Sequence, residues 1–396
     1  MNLAAVVPLS QKAAYLRTLP AIRDRCGKVY ELATQGKLQY FDYHPENEAL
    51  AIDLCIEIMK RNYGAENFVS KIPPHGRWRH LDAGAPRVQD LLQTWSSGPN
   101  AIDIKEQGRR AIDLFIVSVL LDAGAGNVWK YEEKETGKTF ARSEGLGVAS
   151  FRMFESGFFS SVADQPYRVD ADGLAKVTSQ RVSDVMQVSS ENPMVGVDGR
   201  TALLSKLGEA LKAHPEYFGK DGRPGNIIDF LQNEVKGSVL PLAALWHVLI
   251  DGLSTIWPSR IVLADLPLGD VWPSPALSAA ADGMQNTCSS LLIKHSSFLS
   301  IGKLEESEDL VPFHKLTQWL TYSLMEVFQK VLKWEIAGVE DMTGLPEYRN
   351  GGLLVDLRVL TLKDGALPTD PKSGLPHAKP SHPAIVEWRA MTVIEL

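Results

Sequence analysis

Apolar residues recur at three- and four-residue intervals through much of this chain, and this spacing constrains the fold more than any other feature. From Leu242 onwards, Leu245, Leu249 and Leu253 fall on one face of a helix. The same spacing predicts helices at Gln11–Gln35, Pro45–Tyr63, Pro86–Trp95, Ala101–Leu121, Thr201–Ala213, Leu242–Trp257 and Pro312–Trp334. We therefore predict a mainly α fold.

Only short segments favour β structure. Asn127–Tyr131 and Lys138–Arg142 flank a turn that contains Gly137, which predicts a small β-hairpin. Ile385–Ile394 alternates imperfectly between apolar and polar residues and is a second candidate strand. Asp198 is predicted to cap the helix that follows it, because a short carboxylate accepts from the first free backbone amides.

The length and composition are those of a globular protein. The chain has 396 residues, of which 44% are hydrophobic and 22% charged, so it can bury a large core. We predict a single large helical domain over residues 1–396, with an N-terminal helical part at 1–125 and a catalytic part at 126–396.

The charge balance narrows the range of partners. A net charge of -7 without a long run of Lys or Arg gives no general attraction for a nucleic-acid backbone, so we predict no nucleic-acid partner. No stretch approaches the roughly 18 consecutive apolar residues of a membrane span. The first ten residues also lack the features of a secretory signal, which favours a cytoplasmic protein. The widely spaced Cys26, Cys55 and Cys288 are typical of reduced thiols.

Several signatures of common enzyme classes are absent from the sequence. It contains no phosphate loop, no dinucleotide fingerprint, no His-Glu-x-x-His helix and no Gly-x-Ser-x-Gly elbow. His247 and Asp251 have the i,i+4 spacing of a shared ligand pair, but on an apolar helix this spacing favours a hydrogen bond. We therefore predict no cofactor and no metal.

Polar and aromatic residues concentrate in three segments, which are the candidate sites. The first is Pro73–Asp82, where Trp78, Arg79 and His80 follow a diproline and could hold an anion or a sugar. The alternative is a surface loop with Trp78 packed inward and the charges solvated. The second, Val311–Tyr322, begins a helix on which Lys315, Gln318, Tyr322 and Glu326 form one polar stripe. Such a stripe suits a pocket wall, or it faces solvent.

The third candidate segment is Gly344–Gly352. Asn350-Gly351-Gly352 leads into an apolar run, and such a sequence can point several backbone amides outward towards an oxyanion or a phosphate. The alternative is a tight turn that leaves Glu347 and Arg349 solvated.

Across nearly its whole length, the chain resembles the uracil-catabolism family of fungi and bacteria. The blocks that carry the resemblance are Arg77–His80, Asp122–Gly126, Arg142–Leu146, Asn192–Arg200, Ile256–Arg260, Leu268–Trp272, Pro312–Lys315, Gly344–Gly352 and Val386–Arg389. The resemblance implies a role in a route that opens the uracil ring and leaves a ribosylurea, as such or as its 5-phosphate. It therefore implies an N-glycosidase that separates urea from ribose, with a small ribosyl ureide or nucleotide-derived substrate.

A second, more distant resemblance points to the same chemistry. Lys315-x-x-Gln318 followed by Glu347-Tyr348-Arg349 is similar in order and spacing to the queuosine-nucleotide salvage N-glycosylases, which carry Asp where this chain has Glu347. Those enzymes are helical and distantly like the helix-hairpin-helix DNA glycosylases. The resemblance therefore implies a fold of that general kind.

These resemblances, together with the chemistry of C1–N cleavage, assign roles to the candidate residues. Positive charge on the sugar calls for a carboxylate, for which Glu347 is the first choice, with Lys315 favouring its ionised state. Glu144, Asp122 or His314 would protonate the departing urea. The substrate-binding candidates are Trp78, Arg79, His80, His314, Gln318, Tyr322, Tyr348, Arg349 and Arg389. Of these, Arg79, Arg349 and Arg389 are proposed to bind a phosphate.

Two other functions stay open at the level of sequence. One is an amidohydrolase that attacks the ureide carbonyl, although no ligand cluster or nucleophile–base pair is evident for it. The other is a non-catalytic protein that binds an intermediate of the same pathway. The oligomeric state is not predicted.

Overall fold

The computed structural model describes residues 7–257, 260–280, 307–371 and 373–395. Its helices are α1 (Leu9–Leu16), α2 (Leu19–Thr34), α3 (Glu48–Tyr63), α4 (Phe68–Lys71), α5 (Trp78–Leu81), α6 (Arg87–Ser96), α7 (Ile104–Leu121), α8 (Arg142–Glu155), α9 (Ala171–Leu174), α10 (Ser179–Val185), α11 (Val197–Ala213), α12 (Pro215–Phe218), α13 (Ile227–Leu231), α14 (Leu242–Gly252), α15 (Lys315–Lys330), α16 (Tyr348–Asp356) and α17 (Pro383–Glu395). The predicted mainly α fold is confirmed, whereas the likeness to helix-hairpin-helix glycosylases stays a prediction.

The strands are short and pair two by two. They are β1 (Phe41–Tyr43), β2 (Lys130–Glu133), β3 (Lys138–Ala141), β4 (Val239–Pro241), β5 (Val262–Leu263), β6 (Leu266–Pro267), β7 (Val271–Pro273), β8 (Leu310–Pro312), β9 (Glu335–Ala337) and β10 (Leu360–Leu362). The pairs β1–β10, β2–β3, β5–β6 and β7–β8 are antiparallel, and β4–β9 is parallel. The predicted hairpin is confirmed as β2–β3, with Glu133 opposite Lys138 and Gly137 at a φ of 66° in the turn.

The long helix α7 shows how local sequence and burial combine. Its N-cap, Asp103, accepts a hydrogen bond from the Glu106 amide at 2.8 Å. From Ala111 to Leu121 every residue of the helix is buried. This run is apolar except for Asp113 and Ser118, and a helical segment of that composition is expected in the interior of a large protein.

Three details of the sequence prediction are wrong. The segment Gln11–Gln35 forms two helices, because Pro20 lies in the first turn of α2 and cannot continue a helix from the preceding turn. Asp198 lies inside the first turn of α11 rather than capping it, and its carboxylate accepts from Ser179 at 2.6 Å. Ile385–Ile394 is helical, and its buried residues include Val386, Ala390 and Val393, which recur at helical spacing.

The chain forms two compact units. The first unit comprises residues 1–72, 259–315 and 340–396, and the second unit comprises residues 73–258 and 316–339. The prediction of a single domain stays a prediction. In the described ranges, no helix combines the length and apolar character that crossing a bilayer would require.

The first unit brings together segments that are far apart in the chain. One core cluster joins Ala13, Leu16, Leu268, Val271 and Leu310, and α17 packs against α2 and α16. Residues near both ends of the sequence are therefore held beside β7, which lies in the middle part of this unit. Cys26 is a buried free thiol in this unit and Cys55 is a half-buried one, whereas Cys288 lies outside the described residues.

The second unit is organised around α7 and α8. Helix α8 packs against α7 and against the short α5. The contact with α5 is close, because a Cβ atom at Gly147 would lie 2.5 Å from the carbonyl oxygen of His80. Glycine at this position therefore allows the backbone of α5 to lie directly on α8.

Candidate active site

Lys315 and Glu347 form an ion pair in the first unit. Lys315 is the first residue of α15, and Glu347 immediately precedes α16. The Lys315 Nζ atom lies 2.8 Å from Glu347 Oε2, and the two side chains are 31% and 27% exposed. The structure thus brings together the first-choice carboxylate and the cation predicted to accompany it, at a position that a small molecule can reach.

The position of Glu347 directs its carboxylate away from the helix that follows. Its backbone is extended, with φ -127° and ψ 158°, and its side chain makes no capping hydrogen bond to α16. The first turn of α16 is closed instead by the Gly351 amide, which donates to the Glu347 carbonyl at 3.0 Å. The carboxylate is therefore free to pair with Lys315 while lying beside the positive end of a helix.

Asp270 organises this site from the loop before β7. Its Oδ2 atom accepts from the Lys315 amide at 3.1 Å, and its Oδ1 atom accepts from Trp272 Nε1 at 2.8 Å. Arg389 donates to both carboxylate oxygens, at 3.0 Å from Nη1 and 2.7 Å from Nη2. Such a bidentate pair has a fixed orientation as well as a favourable energy.

Arg389 also contacts the backbone next to Glu347, the other member of the ion pair. Its Nε atom donates to the carbonyl of Pro346 at 3.0 Å, and its guanidinium lies 4.0 Å from the ring centre of Phe313. Asp270 thus holds the backbone at Lys315, and Arg389 holds the residue before Glu347. The Asp270–Arg389 pair therefore sets the relative position of Lys315 and Glu347.

The charge state of Asp270 follows from this environment. Burial opposes its ionisation, but the Arg389 charge and its hydrogen bonds, together with those from Trp272 and Lys315, lower the pKa of Asp270 well below its ordinary value. Asp270 is therefore a carboxylate at neutral pH. Because it already faces Arg389, we regard it as a positioning group and not as an acid.

Two residues of this site had no role assigned from the sequence, namely Asp270 and Arg260. The Arg260 guanidinium lies 4.1 Å from the ring centre of Trp272, and its Nη1 atom is 3.9 Å from Asp270 Oδ1. Both residues occur in blocks that carry the family resemblance, Leu268–Trp272 and Ile256–Arg260. Those blocks were the available signal, but they do not indicate which charged groups meet.

His314 is enclosed within the first unit. Its side chain is only 2% exposed, and Nε2 donates to the carbonyl of Leu16 at 2.8 Å. Burial lowers the pKa of His314, so the ring is neutral at physiological pH. The structure therefore places this candidate acid and substrate-binding residue in the interior of the unit.

The segment Gly344–Gly352 leads into a helix and does not form the tight turn that was one of its two predicted alternatives. Asn350, Gly351 and Gly352 belong to α16, so they do not form a tight turn, and the Gly351 amide donates within the helix. Asn350 Nδ2 donates to the Leu345 carbonyl at 2.8 Å. The backbone of Tyr348 and Arg349 lies in α16, whereas their side chains lie outside the described part of the structure.

Asp122 and Glu144 lie in the second unit, near the buried Arg77. The Arg77 Nη1 atom is 2.9 Å from Asp122 Oδ2, and Nε donates to the hydroxyl of Ser118 at 2.8 Å. Burial lowers the pKa of Arg77, while the negative charges of Asp122 and Glu144 oppose that shift. Asp122 thus neutralises a buried guanidinium, whereas Glu144 in the first turn of α8 is exposed.

The remaining candidates from Pro73–Asp82 have unequal exposure. Trp78 is half-buried and donates through Nε1 to Asp82 at 2.8 Å, whereas Arg79 is exposed. His80 is 8% exposed, and burial together with the charges of Arg77 and Arg79 lowers its pKa to about 3. His80 is therefore a neutral, enclosed ring, and Arg79 is the residue here that offers a cation to solvent.

The predicted polar stripe on α15 is not a solvent-facing surface. Gln318 is fully buried and Glu326 is 3% exposed, whereas Tyr322 is half-buried and lies beside His75, with a ring separation of 6.3 Å. Glu326 pairs through Oε2 with Lys330 at 2.6 Å. The stripe therefore lines the interior of the second unit, except at its first residue, Lys315, which belongs to the first unit.

Comparison with known proteins gives consistent matches over nearly the whole chain. A family model described as "Protein of unknown function (DUF1688)" matches residues 15–396. Uracil catabolism protein 4 of Lachancea kluyveri is 38% identical over 399 residues, which cover 96% of this chain and 85% of that protein. Protein urg3 of Schizosaccharomyces pombe is 38% identical over 391 residues, which cover 98% of this chain and 85% of that protein.

Proposed function

The chain belongs to the uracil-catabolism family described as a protein of unknown function (DUF1688), and on that basis we propose that it is an N-glycosidase of uracil catabolism. The reaction is hydrolysis of the C1–N bond of ribosylurea, as such or as its 5-phosphate. The oxygen of water is transferred to C1, a proton is transferred to the departing nitrogen, and the products are ribose or its phosphate and urea.

The observation that carries this proposal is the Lys315–Glu347 ion pair. Breaking a ribosyl C1–N bond develops positive charge on the sugar, and a fixed carboxylate near C1 stabilises that charge. Glu347 is partly exposed and lies 2.8 Å from an ammonium group that limits its motion. In this proposal Glu347 stabilises the sugar cation, and Lys315 holds the carboxylate in place.

The departing urea also needs a proton, because its anion is a poor leaving group. Of the three acids named from the sequence, His314 is enclosed and neutral, and Asp122 is engaged by Arg77. Glu144 is exposed but belongs to the second unit, whereas Glu347 belongs to the first, so the assignment of Glu144 as this acid stays a prediction from the sequence. A Glu144→Gln variant with normal melting temperature and reduced turnover would support that role.

The first test is product analysis. Purified wild-type protein is incubated with ribosylurea and with its 5-phosphate, while urea and reducing sugar are followed together. The Glu347→Gln variant is expected to lose turnover by about 10²- to 10³-fold, as when a single group that stabilises transition-state charge is removed. Glu340→Gln is the matched control, because Glu340 is an exposed glutamate of the same unit and should tolerate the same chemical change.

The other outcomes would replace the proposal. Ammonia or carbamate in place of urea would identify an amidohydrolase acting on the ureide carbonyl. A rise in melting temperature with ribosylurea phosphate, without any product, would identify a binding protein of the pathway. Equal turnover by wild-type protein and the Glu347→Gln variant would remove Glu347 from the mechanism.

A further inference from the structure

Arg260 presents a partly exposed guanidinium beside the candidate active site. Its side chain is 46% exposed, and the guanidinium lies 4.1 Å from the ring centre of Trp272. The indole is itself fixed, because Trp272 Nε1 donates to Asp270 at 2.8 Å. An arginine held against an aromatic ring keeps its planar set of donors in one orientation, so less entropy is lost when it binds an anion.

The nearest described carboxylate leaves these donors available. Asp270 lies 3.9 Å from Arg260 Nη1, which is beyond hydrogen-bonding distance. The same carboxylate already accepts two hydrogen bonds from Arg389, one from Trp272 and one from the Lys315 amide. Within the described ranges, the Arg260 guanidinium therefore has no hydrogen-bond acceptor of its own.

Among the described residues, the ion pairs formed by Asp270 and Lys315 contain more cations than anions. Arg260, Lys315 and Arg389 are cations, whereas Asp270 and Glu347 are anions. Arg389 is matched by Asp270 and Lys315 by Glu347, so within the described ranges the remaining positive charge of this group is that of Arg260. A forked, partly exposed guanidinium with unmatched charge is suited to the oxygens of a phosphate.

We propose that Arg260 binds the phosphate of a ribosyl 5-phosphate, so that the substrate of this site is phosphorylated ribosylurea. This inference rests on the proposed function and specifies its substrate class. Arg260 takes this role in place of Arg389, whose Nε, Nη1 and Nη2 atoms already donate to Pro346 and Asp270. Asp270 is the common neighbour of Arg260 and of the Lys315 amide, so Arg260 belongs to the same group of charges as the Lys315–Glu347 pair.

The kinetic test compares two substrates and three variants. Arg260→Gln should lower kcat/KM for ribosylurea 5-phosphate by roughly 10- to 100-fold, mainly through KM, since a charge-assisted contact is lost. The same variant should change kcat/KM for ribosylurea by less than about twofold. Arg260→Lys should give an intermediate loss. Arg61→Gln, which removes an exposed arginine of α3 in the same unit, should leave both substrates unchanged.

A binding test separates failure of this inference from failure of the proposed function. Ribose 5-phosphate should raise the melting temperature of wild-type protein and of the Arg61→Gln variant, but not that of Arg260→Gln, and ribose should raise none of them. If wild-type protein releases no urea from either substrate, the proposed function fails, and this binding result alone decides the phosphate site. Equal binding of ribose 5-phosphate by wild-type and Arg260→Gln proteins, or no binding by wild-type protein, would overturn the inference.

Discussion

The Asp270–Arg389 pair offers the most direct test of how this site is held together. The two side chains are 26% and 15% exposed, and two hydrogen bonds of 2.7 and 3.0 Å join them. An exposed ion pair contributes about 0–1 kcal/mol, whereas removing one partner of a fully buried pair costs about 3–5 kcal/mol. We therefore expect Arg389→Gln to lower the free energy of unfolding by about 2–4 kcal/mol, since it also removes the bond to Pro346.

The assay is urea unfolding at pH 7 of the wild-type protein, Asp270→Asn, Arg389→Gln and the double variant. Asp270→Asn should cost about 1.5–3 kcal/mol, and the coupling energy of the cycle should be about 1–3 kcal/mol. The reference is Lys212–Asp172, an ion pair of 2.7 Å whose side chains are 55% and 71% exposed. A coupling energy for Asp270–Arg389 no larger than that of the reference would refute the argument.

The lowered pKa of Asp270 predicts how the free energy of unfolding changes in acid. Because Arg389 and the other donors hold the pKa of Asp270 below its unfolded value, the folded state binds fewer protons than the unfolded state. The stability contributed by Asp270 is therefore fully present above about pH 4 and is lost as the pH falls towards the folded pKa. Asp270→Asn should show a smaller loss of unfolding free energy than wild-type protein between about pH 4 and pH 2.

Two further predictions concern helices α16 and α17. Gly351→Ala should destabilise the protein by about 1–3 kcal/mol in thermal unfolding, because the added Cβ would collide with the indole nitrogen of Trp388. Gly352→Ala is the control in the same helix. Its Cβ would meet no atom within 4 Å, so this variant should be neutral or stabilising. Burial and the negative charge of Glu48 raise the pKa of Glu395 to about 7. The Glu395 carboxyl group therefore keeps a proton in the folded protein at pH values above about 4.3, where the unfolded chain has lost it. The unfolding free energy should therefore fall by about 1–2 kcal/mol between about pH 4.5 and pH 7, and a Glu395→Gln variant that shows the same decline would contradict this.

Much of the secondary structure could be predicted from local patterns. The predicted helix Ala101–Leu121 corresponds to Ile104–Leu121, and the predicted hairpin corresponds to β2–β3. Periodicity and turn chemistry are properties of neighbouring residues, so they can be read without knowledge of the rest of the chain. The strand prediction for Ile385–Ile394 was wrong, because a short apolar run suits either a strand or a helix. Packing against α2 and α16 selects the helix.

The sequence by itself determined which residue types were available to a site. It also predicted Glu347 as a carboxylate and Lys315 as the cation that accompanies it. Only the tertiary structure decided which groups hold that pair, because Asp270 and Arg389 are separated by 119 positions and meet through packing of the first unit. It also decided that Arg389 faces Asp270 and Pro346, and that His314 is enclosed. Charge and burial depend on neighbours that are distant in sequence, and no local pattern specifies them.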